Sequence, residues 1–350
     1  MSRLLGVAVA LMLCAAPGAG GAERRNGFSL TPSSIPVDEI LAGGPARDAI
    51  PALVDPPRIP ADESRWDPEQ WVVGVAIGTE AAAYPLSILE WHELVNDTLG
   101  GEPILVSWCP LCGTAMVFDR RIGGRTRSFG VSGLLYRSDL LFYDRETESL
   151  WSQIRSEAVT GPSLGERLVL RRGRMLRWHE WRELHPDTNV LSPQTGHRRP
   201  YGRSPYGDYA TSERLRFPAP TDRRYHPKTP TLGLRLANGA ARAYPAVEVV
   251  RAGGKAAERL AGRDVRVAYD PARETFSVEA PPEVEVIEGY WFAWMAFHPE
   301  SSVFTAAPAS EIRAGSDGRG RARAQERRGP ARMRLGCPTP RSSGCMDADR

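Results

Sequence analysis

The fold depends on VVGVAIGTEAAAYPLSILEW, residues 72–91, because its pattern returns in TLGLRLANGAARAYPAVEVV, residues 231–250. Each stretch has the pattern of a strand, a turn, a run of small residues, a Tyr-Pro pair and an amphipathic segment. The Tyr-Pro pair at 84–85 thus matches the pair at 244–245. Self-similarity of this kind indicates that one structural unit occurs twice in the chain.

Two further matches follow in the same order. The first joins GGEPILVSWCPLCGTAMVF (100–118) to AGRDVRVAYDPARETFSV (261–278), and the second joins WHEWRELHPDTNVL (178–191) to WFAWMAFHPESSVF (291–304). The second copy is shorter, since it has no counterpart of FGVSGLLYRSDLLFYDRETESLWSQ (129–153). Three matches in one order predict an internal duplication, with an insertion in the first copy.

Short apolar runs and frequent turn residues, with 34 glycines and 30 prolines, favour strands over long helices. We therefore predict an α+β fold, mainly antiparallel β with short helices, in two related lobes from the duplication. The predicted segments are a signal peptide (1–22), an N-terminal extension (23–64), lobe one with the CPLC segment (65–210), a shorter degenerate lobe two (211–307) and a disordered Arg-rich tail (308–350).

Comparison of the two copies separates architectural residues from site candidates. Residues found in both copies, such as His185 and its counterpart His298, are interpreted as structural. Three residues occur in the first copy alone, because the second copy has Asp270, Arg273 and Ala252 in place of Cys109, Cys112 and His92. A duplicated fold has this pattern when one copy keeps the chemistry and the other supports it. We predict that Cys109, Cys112 and His92 form one metal site.

The local context of the cysteines favours metal binding. They lie in CPLCG (109–113), between the apolar strand ILVSW and the alternating strand AMVFD. Thioredoxin-type pairs lie instead at a strand–helix junction, where the helix N-terminus lowers the thiol pKa. A strand–turn–strand CPxCG is similar to the knuckle of rubredoxins and zinc ribbons, which presents two thiolates to one metal.

His92 is the third predicted ligand. Ser87 and Glu90 form a capping-box pattern, which should open a helix. His92 then falls inside the apolar stripe of Ile88, Trp91 and Val95, so it should point toward the core. There it is either a metal ligand or a core histidine whose hydrogen bonds are satisfied by the protein.

Three hypotheses for the cysteine pair remain open. The first is an exported metal- or cofactor-binding protein, with redox activity as an option, holding copper, zinc or iron. The second is a metal-free enzyme or thiol–disulfide protein in which Cys109 is the attacking thiol. The third is a binding module whose CxxC is a structural disulfide, as is common in exported proteins. Elemental analysis with a free-thiol count separates the three.

Two polar segments are interpreted as structural. In the insertion, Asp139 and Asp144 should face opposite sides of a strand and serve as turn or hairpin charges, while Gly130 and Gly133 should let the backbone approach a neighbour closely. The loop RRPYGRSPYGDY (198–209) is expected to wrap the junction between the lobes.

The two ends of the chain indicate the cellular compartment of the protein. Arg3, an apolar run from residue 4 to 16 and small residues up to 22 make a secretory signal peptide, too short to span a bilayer. We therefore expect an exported protein, periplasmic or extracellular, with no transmembrane segment. The tail has ten arginines and four acidic residues from 313 to 350. Export argues against a nucleic-acid partner for it, and such composition favours disorder.

Several blocks resemble a known family. WHELVND, WCPLCGTAMVFDR, FGVSGLLYRSDLLFYDRETESLWSQ, HPDTNVLS and RPYGRSPYGDY together are similar to the bacterial family catalogued as domain of unknown function 3179. The resemblance covers roughly residues 65–305 and implies a secreted or envelope protein of bacterial origin. It implies no particular activity.

Overall fold

The structure is a computed structural model that describes residues 23–307. The predicted signal peptide and Arg-rich tail lie outside the described residues. Ahead of the first copy, a 3₁₀ helix (Val37–Glu39) and five short strands occur: β1 (Arg24–Arg25), β2 (Phe28–Ser29), β3 (Ile40–Ala42), β4 (Leu53–Val54) and β5 (Arg58–Pro60).

The first copy begins with the predicted strand and ends its first block in a helix, and the run of small residues between them forms a second strand. Its elements are β6 (Trp71–Ile77), β7 (Glu80–Pro85), α1 (Leu86–His92), β8 (Leu94–Leu99), β9 (Glu102–Cys109) and β10 (Thr114–Asp119). The inserted segment adds β11 (Arg121–Ile122), β12 (Arg125–Thr126), β13 (Phe129–Tyr136), β14 (Asp139–Asp144), β15 (Leu150–Ser152), β16 (Glu157–Ala158) and β17 (Leu170–Arg171). The copy ends with β18 (Gly173–Arg177), α2 (Trp178–Leu184) and β19 (Asn189–Leu191), followed by a 3₁₀ helix (Tyr209–Thr211).

The second copy has the same order of elements without the insertion. They are β20 (Pro230–Arg235), β21 (Ala241–Pro245), α3 (Ala246–Arg251), β22 (Lys255–Leu260), β23 (Arg263–Asp270), β24 (Thr275–Glu279), β25 (Glu285–Tyr290), α4 (Trp291–Phe297) and β26 (Ser302–Val303). The strand pairing also corresponds: the order β18-β6-β7-β19 matches β25-β20-β21-β26, and β10-β9-β8 matches β24-β23-β22. The matched stretches therefore fold alike.

The predicted α+β fold in two lobes is wrong. Strands make up 42% of the structure and helices 12%, and five small sheets form a five-bladed β-propeller. Each copy supplies most strands of two sheets. The fifth sheet, with strand order β16-β15-β14-β13-β3, combines four strands of the insertion with β3 from ahead of the first copy.

The physical reason for this difference is the way the copies bury their apolar surface. The largest core cluster combines Phe118 of the first copy and Phe142 of the insertion with Trp291 and Phe292 of the second copy. A single blade buries only part of its apolar surface and needs its neighbours for the rest. The copies thus share one core, and the described chain up to residue 306 is one compact unit.

Helix α1 also begins differently from the prediction. Its N-cap is Pro85, which makes no side-chain capping bond, and the hydroxyl of Ser87 is buried without a hydrogen-bond partner. Val95 belongs to β8, so the predicted helical stripe ends early. No helix in the described part of the chain is long and apolar enough to span a bilayer.

Candidate metal centre

The turn between β9 and β10 carries both cysteines, in the predicted strand–turn–strand context. Cys109 is the last residue of β9 and pairs across the sheet with Thr114. The amide of Cys112 donates a hydrogen bond to the carbonyl of Cys109 at 3.1 Å. Gly113 has φ +60°, and a Cβ at this position would lie 2.7 Å from the Tyr290 ring. Glycine therefore permits a tight turn that keeps both thiols inside the protein.

A third donor, Asp139, joins the two cysteines. The two sulfur atoms and a carboxylate oxygen of Asp139 all lie within 4.8 Å of one another. Asp139 opens β14, directly after the two-residue hairpin turn formed by Arg137 (φ +52°) and Ser138 (φ +66°). Such turns require positive φ and usually contain Asn or Gly. This turn also brings the Ser138 carbonyl to 3.3 Å from the Cys112 sulfur, within reach of its thiol hydrogen.

The carboxylate of Asp139 is only half satisfied. Its Oδ2 accepts hydrogen bonds from the amide of Ile154 at 3.1 Å and the hydroxyl of Ser152 at 3.4 Å. Its Oδ1 is buried and has no hydrogen-bond partner. A buried acceptor without a partner costs about 1–3 kcal/mol, and more when it is charged. The geometry therefore leaves room for a proton or a cation at this oxygen.

Burial also controls the charge of the cluster. Cys109, Cys112 and Asp139 are each at most 1% exposed. Desolvation raises the pKa of Asp139 to about 7, although several hydrogen bonds oppose this shift. Burial also raises the pKa of the Cys112 thiol, and the neighbouring Cys109 and Asp139 raise it further. Without a cation, burial thus favours the neutral forms of Asp139 and Cys112.

Residues from the second half of the chain hold the cysteine turn in place. The amide of Tyr290 donates to the carbonyl of Cys112 at 2.8 Å, and the hydroxyl of Tyr209 donates to the carbonyl of Leu111 at 3.1 Å. The ammonium of Lys228 lies 4.0 Å from the centre of the Tyr209 ring. The nearby Cys112 favours the charged form of Lys228, although burial still lowers the pKa of this lysine. The turn is therefore fixed by two hydrogen bonds from the second half of the chain, and the buried Lys228 contributes a positive charge to its surroundings.

His92 does not join this cluster. It is buried as predicted, but its Nδ1 lies 2.7 Å from the Pro51 carbonyl and its Nε2 lies 2.7 Å from the hydroxyl of Tyr201. Because a carbonyl can only accept, Nδ1 carries the proton and Nε2 accepts from Tyr201. Desolvation lowers the pKa of His92 to about 4. Both ring nitrogens are thus used in tying α1 to two loops.

The histidines shared by the copies have equivalent surroundings. The ring of His185 lies 4.1 Å from that of Trp181, and the ring of His298 lies 4.1 Å from that of Trp294, with the same angle of 37° between the planes. Their roles are architectural, as the comparison of the copies indicated.

The sequence reasoning missed Asp139 as a site residue. Asp139 and Asp144 bracket the segment LLFY, and both are fully buried. Asp144 is a turn charge as predicted, since it accepts from the amide of Thr147 at 2.7 Å, whereas Asp139 lies with the cysteines. The two carboxylates have different partners, since Asp144 accepts a hydrogen bond from the indole of Trp151 at 2.8 Å. An acid at the start of an apolar strand unique to the first copy was the available signal.

The loop expected to wrap the lobe junction instead contacts the surroundings of the cysteine turn. Its three tyrosines each donate a hydrogen bond to this region: Tyr201 to His92, Tyr206 to Glu93 and Tyr209 to the Leu111 carbonyl.

Comparisons with known proteins place the chain in a family. No curated protein and no solved structure matches it. The family model described as "Protein of unknown function (DUF3179)" matches residues 47–280, more than half of the chain, so the protein belongs to this family, as its sequence blocks predicted.

Proposed function

We propose that the protein binds one transition-metal ion through the thiolates of Cys109 and Cys112 and the carboxylate of Asp139. The observation that carries the proposal is the unpartnered Oδ1 of Asp139, in a fully buried group of three donors within 4.8 Å. A bound cation would favour the ionised form of all three donors and supply the missing partner of this oxygen.

The donor set favours a zinc-like ion among the metals considered from the sequence. Two thiolates suit zinc, copper(I) and iron–sulfur sites, whereas a carboxylate oxygen is a harder ligand that zinc also accepts. Two thiolates and one carboxylate would leave a net charge of −1 around a divalent ion. The buried ammonium group of Lys228 would stabilise this negative charge, since it interacts electrostatically with Cys112. Three protein donors leave one position of a tetrahedral ion for a small molecule.

Burial weighs against the thiol–disulfide hypothesis. Exchange requires a partner thiolate to attack one of the sulfurs, so at least one cysteine must be accessible. Cys109 is 1% exposed and Cys112 is fully buried. A metal that enters as a small ion fits this environment better than a protein substrate does.

We further propose that the protein acts outside the cytoplasm. This proposal depends on the signal-peptide pattern of residues 1–22. Two closely spaced thiols in an exported protein are expected to be oxidised unless a metal occupies them. A bound metal would therefore protect the two thiols from oxidation in that compartment.

Cobalt(II) titration of the purified full-length protein tests the proposal. We expect one ion per chain, with the charge-transfer absorption of thiolate ligands, and competition by zinc. Asp139→Ala and Cys109→Ser should each weaken binding by about a hundredfold or more, because each removes an ionised donor from a buried site.

Two control variants distinguish this site from the one predicted by sequence. Asp144→Asn changes an equally buried acid on the same strand and should keep metal affinity. His92→Ala should also keep it, since both ring nitrogens bond elsewhere. Equal metal loss in His92→Ala and Asp139→Ala would overturn the assignment of Asp139. Two free thiols without bound metal, or a disulfide, would overturn the metal proposal itself.

A further inference from the structure

A cavity of about 360 Å³ lies beside the cysteine turn. Its wall is largely apolar and includes Ile50, Leu111, Val131, Leu135, Leu140 and Phe217. Pockets for small ligands begin at about 300 Å³ and combine apolar walls with a few placed polar groups. At about 30 Å³ for one water molecule, this cavity holds a ligand of roughly a dozen non-hydrogen atoms.

One of its polar groups is Glu93, directly after α1. The residue is 9% exposed and lines the cavity. The hydroxyl of Tyr206 donates to its Oε1 at 3.3 Å, and no other described residue hydrogen-bonds to its carboxylate. Burial raises the pKa of Glu93 to about 7. The second carboxyl oxygen is therefore free to bond to a molecule in the cavity.

The backbone of Glu93 is strained, whereas the backbone of the equivalent residue in the second copy is not. Glu93 has φ +58° and ψ −35°, and its carbonyl accepts a hydrogen bond from the amide of Trp108 at 2.8 Å. The equivalent carbonyl in the second copy belongs to Gly254, which accepts from the amide of Tyr269 at 3.0 Å and has φ +83°. Glycine adopts positive φ without a steric penalty, whereas glutamate does not. Stability alone would favour glycine at both positions, so the glutamate points to a role in the cavity.

The cavity wall also carries two cationic side chains. Arg199 and Arg216 line it, both are exposed, and neither forms an ion pair with an acid of the described chain. Arg216 is held in place, because it donates to the Tyr206 carbonyl at 2.7 Å. The second cavity acid, Glu90, has a pKa raised by burial, so it opposes the arginines less than an exposed carboxylate would. A guanidinium group binds a carboxylate through two parallel, charge-assisted hydrogen bonds.

We propose that this cavity binds a small amphipathic carboxylate whose acidic end meets Arg199 and Arg216 and whose second polar group bonds to Glu93. The apolar body of the ligand lies against the leucine and valine side chains. This site goes beyond the proposed metal function and does not require it, although Leu111 and Leu140 connect the two places.

Calorimetric titration of the full-length protein with 8-hydroxyoctanoate tests the proposal. We expect one molecule bound per chain, about tenfold more tightly than octanoate, because octanoate leaves the second carboxyl oxygen of Glu93 without a partner. The uncharged 1,8-octanediol should bind at least about tenfold more weakly, since it lacks the charge-assisted bonds to arginine.

Variants assign the two ends of the ligand. Replacing both arginines by glutamine should reduce the affinity for 8-hydroxyoctanoate to that of the diol, whereas the exposed Arg214→Gln, outside the cavity wall, should leave it unchanged. Glu93→Gly should raise the melting temperature and abolish the preference for 8-hydroxyoctanoate over octanoate. A stabilised Glu93→Gly variant that keeps this preference would overturn the role of Glu93.

Equal binding of the carboxylate and the diol, or no binding of any of the three molecules, would overturn the site. Neither result bears on the metal centre, which is measured by cobalt titration of the same protein.

Discussion

At the scale of single residues, some buried polar groups have all their hydrogen-bond partners and others lack one. His92 has a partner at each ring nitrogen, whereas Oδ1 of Asp139 has none. Both residues are fully buried, so burial alone does not distinguish a structural group from a ligand. The unmet hydrogen-bonding capacity distinguishes them, because native proteins leave few buried acceptors without a partner. Asp139, and not His92, is therefore the third donor of the proposed site.

The raised pKa of Asp139 predicts how stability depends on pH. Its folded pKa is about 7, against about 4 in the unfolded chain. The folded state therefore binds the proton more tightly, and the resulting stabilisation is complete below pH ~4 and is lost as the pH rises to ~7. Glu93 behaves in the same way, with a pKa of about 7. In metal-free protein, each carboxyl should lower the free energy of unfolding by up to about 1.4 kcal/mol per pH unit in this window.

Urea unfolding of the chelator-treated protein between pH 4 and 8 measures this dependence. Asp139→Asn should show a smaller decline than the wild type, because the amide does not titrate. The metal-saturated wild-type protein should also lack the contribution of Asp139 to the decline of the unfolding free energy with pH. An identical decline in Asp139→Asn and wild type would show that this carboxyl titrates normally in the folded protein.

At the scale of elements, the two copies are alike down to individual contacts. Gly74 of β6 and Gly233 of β20 occupy equivalent positions. A Cβ on Gly74 would lie 2.3 Å from the indole of Trp181, and a Cβ on Gly233 would lie 2.0 Å from the indole of Trp294. The indole nitrogens donate to Thr188 and Ser301, both at 2.8 Å. Each glycine therefore makes room for a tryptophan from the second helix of its copy, α2 or α4.

Gly74→Ala should destabilise the protein by about 2–3 kcal/mol, because the added methyl group forces the Trp181 ring out of a packed position. Thermal or urea unfolding measures the change. Gly202→Ala is the matched control, since a Cβ there meets no atom within 4 Å and φ is not positive. Equal stability of the Gly74→Ala and Gly202→Ala variants would contradict the packing described for these tryptophans.

Much at this scale was predictable from sequence, and the reasons are local. Alternating apolar residues predicted β9 and β10 around CPLCG, and the repeated blocks predicted matching elements in the two copies. The start of α1 was not predictable from the capping box, because Pro85 ends the preceding strand and the helix begins directly after it. Asp139 was missed because its partners come from other elements, which no local pattern relates to the cysteines.

At the scale of the whole molecule, local patterns were misleading. Two copies of one unit suggested two lobes, but each copy buries apolar surface against the other and against the insertion. Trp291 and Phe292 of the second copy share a core with Phe118 and Phe142. The number of sheets in the ring depends on the inserted strands β13–β16, which the second copy lacks. The same insertion brings Asp139 to the cysteines, so the fifth blade completes the candidate site.

X-ray absorption spectroscopy at the metal edge tests the central claim most directly, because it identifies the ligand atoms of the bound ion. For the zinc-loaded full-length protein we expect two sulfur neighbours at about 2.3 Å and oxygen at about 2.0–2.2 Å, without the multiple-scattering signature of an imidazole. Cys109→Ser should leave one sulfur. A spectrum of zinc-loaded protein without sulfur neighbours, or with histidine in place of oxygen, would contradict a centre built from Cys109, Cys112 and Asp139.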